Sequence, residues 1–209
     1  MGLSPALATG FATGTFIQTH RGMRQIERIE PGVDQIEFRD GTAAPILAMH
    51  MVTLSAADAA ADPALRPLRV PALALGGTLP VRTMVVAPSI SVLAGGRMVN
   101  RVADAPEVLL PLAALDGYNG IARVDVTEDI TLYHPITATH DLFRADGLIC
   151  ETVFLGDGAS PELSAAVREM APEAVAETAK IPRLDAATAA KLAGKLMSKN
   201  RTLGTAEAS

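Results

Sequence analysis

Short apolar runs separated by strong turn signals dominate residues 1–157 and most restrict the folds open to this chain. The runs carry β-branched residues and recur every 8–12 residues or so, roughly the spacing typical of antiparallel β assemblies rather than βαβ units. Turns are predicted at Pro31-Gly32, Asp40-Gly41, Gly76-Gly77, Gly95-Gly96, Asp116-Gly117 and Asp146-Gly147. Strands are predicted at Phe16–Thr19, Gln35–Arg39, Ile46–Leu54, Thr83–Val86, Ser91–Leu93, Val108–Pro111, Arg123–Val126, Ile130–His134, His140–Arg144 and Leu148–Phe154. The pattern therefore predicts an all-β fold.

The composition changes after Gly158, where alanine and glutamate become frequent. Residues 161–180 have apolar positions at helical spacing, and Pro172 is expected to begin a second helix or to kink the first. Asp185 is expected to cap a further helix from Ala186 to Met197. These features predict a helical C-terminal extension.

These patterns predict a β-rich part followed by a helical extension (158–209), and a sequence motif that begins at Gly10 separates an N-terminal lead (1–9) from the β domain (10–157). Within the β domain, Ala56–Leu65 is alanine-rich and ends beside proline-containing sequence, so we expect a loop or a short helical insertion there. The tail, Ser198–Ser209, is expected to fray.

Composition and charge argue against several classes of function. A formal net charge of −5 and an aromatic content of 3% are unfavourable for a nucleic-acid surface. No apolar run approaches the roughly 18 residues of a membrane helix, and the first ten residues lack the pattern of a signal peptide. A cytoplasmic protein without nucleic-acid or membrane partners is therefore expected. The single cysteine, Cys150, excludes an intramolecular disulfide and a cysteine-rich zinc site.

Three motif blocks lie in order between residues 10 and 157: Gly10-Phe11-Ala12-Thr13-Gly14-Thr15, then Ala87-Pro88-Ser89-Ile90-Ser91-Val92-Leu93, then Leu132-Tyr133-His134 through Glu151 to Gly156-Asp157. They resemble the bacterial Hint (Hedgehog/intein) domain family. Its corresponding blocks read Cys-Phe-x-x-Gly-Thr, then Ser-Pro-x-His-x-Val-Leu, then Tyr-x-His with a closing Pro-Gly-Asp. The resemblance implies a compact, Hint-like β fold of short pseudo-symmetric hairpins, here with a helical C-terminal appendage.

Departures from the family pattern fall on the residues of its chemistry. Family members attack their own upstream peptide bond with the leading cysteine, but Gly10 stands in that place and supplies no nucleophile. The histidine that polarises the scissile amide and protonates the leaving nitrogen is replaced by Ile90, and an aspartate by Ala138. His134 and His140 are retained.

The resemblance thus implies a degenerate domain that has lost autoprocessing. It would serve as a non-catalytic scaffold or interaction module for an unidentified protein partner. Only nine residues precede the expected cleavage point, so processing would release a short peptide and not a folded domain.

Residual or altered autoprocessing or peptide-bond hydrolysis is the alternative, with Cys150 as nucleophile and His140 as base, or with a water activated by His140. A three-residue turn at Ala145-Asp146-Gly147 would place both on one face, roughly 7 Å apart at Cα. A two-residue Asp146-Gly147 turn would place them on opposite faces. Without such a pairing, Cys150 is expected to be a small buried apolar residue.

His134, His140, Asp125 and Asp129 could supply metal ligands, but two histidines six residues apart are only compatible with a metal site and are no signature of one. The hydroxyls of Thr13, Thr15 and Ser89 have no base beside them in sequence, and turn or strand roles account for them. We therefore predict no metal and no other cofactor, and the candidate catalytic residues are His140, His134 and Cys150.

Overall fold

The structure is a computed structural model that describes residues 3–199 and 203, and it is mostly β. Its strands are β1 (Phe11–Ala12), β2 (Phe16–Thr19), β3 (Gly22–Gln25), β4 (Gln35–Glu37), β5 (Ala43–Pro45), β6 (Ala48–Leu54), β7 (Leu68–Val70), β8 (Met84–Val86), β9 (Ser91–Gly95), β10 (Glu107–Pro111), β11 (Ala122–Arg123), β12 (Ile130–Ile136), β13 (Leu142–Ala145) and β14 (Leu148–Glu151). Its α-helices are α1 (Ala56–Ala61), α2 (Arg97–Ala103), α3 (Pro161–Met170) and α4 (Ala186–Ser198). Short 3-10 turns lie at Pro5–Leu7, Ile26–Arg28, Pro63–Leu65 and Leu112–Leu115.

The strands form two antiparallel sheets. One has the order β11-β7-β8-β1-β12-β6, and the other runs β10-β9-β14-β13-β2-β4-β5 with β3 paired to β2. The short strand β1 is therefore held between β8 and β12, where Phe11 pairs with both Val86 and Tyr133. This central position restricts how far the backbone beside β1 can move.

One hydrophobic core joins the two sheets. Phe11 and Leu132 from the first sheet and Ile17 and Phe143 from the second belong to the same buried cluster. Edge-to-face contact between the Phe11 and Phe143 rings, with centroids 5.7 Å apart, adds a specific aromatic contact to the burial of apolar area.

The prediction of a β-rich fold is confirmed, and the main hairpins lie where the apolar runs predicted them. The structure adds four strands of two to four residues that no strong sequence signal marked: β1, β3, β5 and β7. Such short strands present too few alternating positions for a period-of-two pattern to emerge. Helix α2 was also not predicted: its N-cap is Gly96, which makes no side-chain cap.

Helix α4 confirms the prediction at Asp185, whose carboxylate accepts the backbone N–H of Thr188 at 2.9 Å. The alanine-rich insertion also folds as a short helix, α1, whose N-terminus is capped by a capping box between Ser55 and Asp58. The predicted frayed tail falls almost entirely on residues outside the described part of the chain.

The prediction of helix across residues 161–180 is wrong beyond Met170, and no helix begins at Pro172. Residues 171–184 instead cross the β domain as a non-helical segment, which we call the strap. Its backbone bonds to the β domain, since Val175 N–H donates to Ala138 O and Leu155 N–H donates to Ala176 O. These tertiary bonds outweigh the helical preference of alanine and glutamate.

Both helices of the C-terminal region pack on the β domain. Leu192 and Leu196 of α4 join the main core, and Leu163 and Val167 of α3 pack with Ile136 in a second apolar cluster. Within the described residues, no helix is long and apolar enough to cross a membrane.

Candidate functional site

Gly10 is buried, and its backbone leaves no room for a side chain. Its φ of 116° lies in the region that favours glycine. A Cβ at this position would overlap the carbonyl oxygen of Tyr133 and lie 2.6 Å from its carbonyl carbon. On the other side, Gly10 O accepts the N–H of Ala87 at 2.8 Å. The position is therefore shaped for glycine, and a thiol could stand there only after the backbone shifted.

Ile90, at the place of the family histidine, is buried in the main hydrophobic core. Its neighbour Ser89 faces the site, where its hydroxyl donates to Ala8 O at 3.1 Å. A hydroxyl aimed at a peptide carbonyl can stabilise negative charge developing there.

His134 is buried between two fixed partners. Its Nε2 lies 3.0 Å from Glu151 O, and its Nδ1 lies 3.0 Å from the Thr9 hydroxyl oxygen. A carbonyl only accepts, so Nε2 carries the proton and Nδ1 accepts from Thr9. Burial lowers the pKa of His134 to about 4, so at neutral pH it is an uncharged acceptor.

His140 is held in place by the strap. The backbone N–H of Lys180 donates to Nδ1 at 3.4 Å, which leaves Nε2 to donate to the Glu151 carboxylate at 3.0 Å. Arg183 from the same strap donates to that carboxylate oxygen and stacks over the Phe154 ring, 4.6 Å from its centroid. Both nitrogens of the imidazole are therefore occupied.

The Hint-domain family model matches residues 9–157, which is most of the chain. This chain belongs to the Hint-domain family. No curated protein and no solved structure matches it.

In this Hint domain, His140 and Cys150 are not brought together. The hairpin has the two-residue turn, because Ala145 pairs with Leu148 and Phe143 with Cys150. Cys150 then points into the main core, while the next residue, Glu151, points to the opposite face and meets His140. Burial raises the pKa of the Cys150 thiol far above its ordinary value. The thiol is thus a buried apolar group with no base beside it.

The predicted metal-ligand candidates are dispersed. Asp125 pairs with Arg66 at 3.2 Å on the surface, and Asp129 is exposed. Both histidines are engaged around Glu151. Across residues 3–199 and 203, no three His, Cys, Asp or Glu side chains are grouped as a metal site would require.

A cavity of about 210 Å³ opens beside His134 in the Hint domain. Thr9, Ser89, Glu151 and Arg183 contribute its polar wall, and Phe154 contributes to its apolar wall. It is large enough for water or a small polar group beside the Ala8–Thr9 peptide.

Several residues of this site were missed from the sequence. Thr9 directly precedes the first motif, and its position next to Gly10 could have identified it as a candidate site residue. Glu151 belongs to the third motif but was not given a role. His50 pairs opposite His134 and its Nε2 lies 2.8 Å from Leu7 O. No local pattern marked this residue, because the contact joins positions 43 apart in the chain.

Proposed function

We propose that this Hint domain no longer performs the family's thiol-based autoprocessing and acts as a non-catalytic interaction module. The observation that carries this proposal is the contact at Gly10. The Tyr133 carbonyl occupies the space that the first carbon of a cysteine side chain would need. Position 10 therefore lacks a thiol, and the backbone around it leaves no space for one.

The proton donor and the access route support the same conclusion. Ile90 is an apolar core residue and provides no proton. The strap covers His140, and its C-terminal end is bound to strand β10, where Leu109 N–H donates to Pro182 O and Leu184 N–H donates to Leu109 O. Lys180 adds an ion pair with Asp141, 2.7 Å between Nζ and Oδ2.

Intact mass of the purified chain tests this proposal directly. The protein is incubated at neutral pH with dithiothreitol and, separately, with hydroxylamine, which cleave thioesters and oxygen esters. We expect the mass to stay at the full-length value, less only an initiator methionine. Loss of an N-terminal peptide in either reagent would refute the proposal.

One specific observation favours a second candidate function, acyl transfer at the Ala8–Thr9 bond. The Thr9 hydroxyl donates to His134 Nδ1, and Ser89 donates to the oxygen of the same peptide bond. A hydroxyl nucleophile, a base and an oxyanion donor thus lie around one peptide bond.

The proposed acyl transfer moves the Ala8 acyl group from the Thr9 nitrogen to the Thr9 oxygen. The Thr9 oxygen adds to the Ala8 carbonyl carbon while its proton moves to His134 Nδ1, and the oxyanion is held by Ser89. Collapse breaks the bond from Ala8 carbon to Thr9 nitrogen, and that nitrogen takes the proton back from His134. The product is an ester between Ala8 and the Thr9 oxygen, with a free Thr9 amine. Hydroxylamine would cleave this ester.

The same mass measurement separates the candidates. Cleavage after Ala8 that is lost in Thr9→Ala, and retained in the exposed control Thr13→Ala, would establish the second candidate. Cleavage that is lost only in Cys150→Ala would establish the alternative through Cys150 and His140. An unchanged mass in all variants supports the interaction module.

A further inference from the structure

A cavity of about 400 Å³ lies between α2 and α4, away from the His134 site, and basic side chains surround it. Arg97 and Arg101 of α2 line one side, and Lys195 and Lys199 at the end of α4 line the other. We propose that this cavity binds a small dissolved anion carrying at least two negative charges, of the phosphate-ester class. This inference goes beyond the proposed function and depends on no step of it.

The positions of the four cations follow from helical geometry. Arg97 and Arg101 are four residues apart, as are Lys195 and Lys199, so each pair shares a helix face. Contact between α2 and α4 brings the two pairs to the same opening. Val99 of α2 and Leu196 of α4 belong to the main hydrophobic core and also line the cavity.

These cations lack counter-charges in the described part of the chain. None of the four is in an ion pair there, and no Asp or Glu is among the described residues that line the cavity. Several arginines elsewhere are in ion pairs, as Arg39 is with Glu107 at 2.7 Å. The four positive charges, which have no ion-pair partner within residues 3–199 and 203, make a local positive field that an anion would relieve.

Shape and chemistry indicate the ligand class. The volume falls in the range of about 300–1,000 Å³ typical of small-molecule sites. Two guanidinium groups favour phosphate oxygens because their paired N–H donors match that geometry. Half-buried Met98 lines the same cavity and supplies apolar surface for the uncharged part of such a ligand.

Isothermal titration calorimetry with inorganic pyrophosphate at low ionic strength tests the site in the full-length protein. We expect one binding site, weakened more than about tenfold in Arg97→Gln/Arg101→Gln and in Lys195→Gln/Lys199→Gln, because each loses two charge-assisted contacts. The matched control is Arg69→Gln/Lys191→Gln, which removes two exposed cations outside the cavity. Equal weakening in the control would show non-specific charge attraction and overturn the proposal.

The same phosphate chemistry is presented by an anionic lipid headgroup, and a second arm identifies the source. Vesicles of phosphatidylcholine, with and without phosphatidylinositol bisphosphate, are sedimented with the wild-type protein and each double variant. Binding of pyrophosphate in solution assigns a free ligand. Sedimentation that needs the phosphoinositide and both cation pairs, without pyrophosphate binding, assigns a headgroup. No binding in either arm overturns the site, whatever the mass experiment shows.

Discussion

Replacing Gly10 with alanine tests whether the backbone at the nucleophile position excludes a side chain. Two effects add at this position. An L-residue at φ 116° is strained by about 1–3 kcal/mol. The new Cβ also overlaps the Tyr133 carbonyl, and overpacking of this kind typically costs about 1–3 kcal/mol. Because β12 is held between β1 and β6, its carbonyl has little freedom to move away. We expect a total loss of about 4 kcal/mol of unfolding free energy.

Gly14→Ala is the matched control. Gly14 also has a positive φ, 88°, but no atom lies within 4 Å of the position of its Cβ. It therefore carries the conformational strain without the overlap. Urea unfolding of the wild type and both variants gives the two free energies when the slopes agree. Gly10→Ala should be less stable than Gly14→Ala by about 2 kcal/mol. Variants of equal stability would refute the argument that Tyr133 closes this position.

Two further predictions concern His134 and the strap. Burial lowers the pKa of His134 to about 4 from 6.5. Its contribution is thus fully present above pH 6.5 and is lost as pH falls toward 4, by about 3 kcal/mol. Urea midpoints between pH 7 and pH 4 should fall more steeply in the wild type than in His134→Gln, and parallel curves would contradict this. A Cβ on Gly156 would overlap the Glu177 carbonyl of the strap, so Gly156→Ala should speed tryptic cleavage after Lys180. Gly194→Ala, whose Cβ meets no atom within 4 Å and whose φ is not positive, should leave the cleavage rate unchanged.

Much of the fold was predictable from hydrophobic periodicity and turn residues. Strands β6 and β12 are seven residues long, so their alternation and length stand out in the sequence. The strap was mispredicted for an identifiable reason: alanine and glutamate favour helix locally, but Leu155 N and Ala138 O, in the loops after β14 and β12, bind its backbone. Contacts of this kind have no signature in a local window.

The candidate site divides in the same way. The motifs placed Gly10 and Ile90 at the altered positions, because each motif is read over a few neighbouring residues. The contacts of His134 with Thr9 and of Arg183 with Glu151 join residues 125 and 32 positions apart. The sequence alone allowed either a two-residue or a three-residue turn around Asp146-Gly147, and these give different strand registers. The observed pairing places Cys150 on the core face, away from His140.

Restoring the family residue would meet a different obstacle at position 10 than at position 90. A cysteine at position 10 meets the Tyr133 backbone, which belongs to a central strand. A histidine at position 90 would place a polar ring where Ile90 packs among buried apolar side chains, at a desolvation cost unless it found a hydrogen-bond partner. Even with both groups present, His140 would remain bound by Lys180 and Glu151. Backbone, core and strap therefore each oppose thiol chemistry independently. We infer that restoring the family residues one at a time would lower stability without producing cleavage.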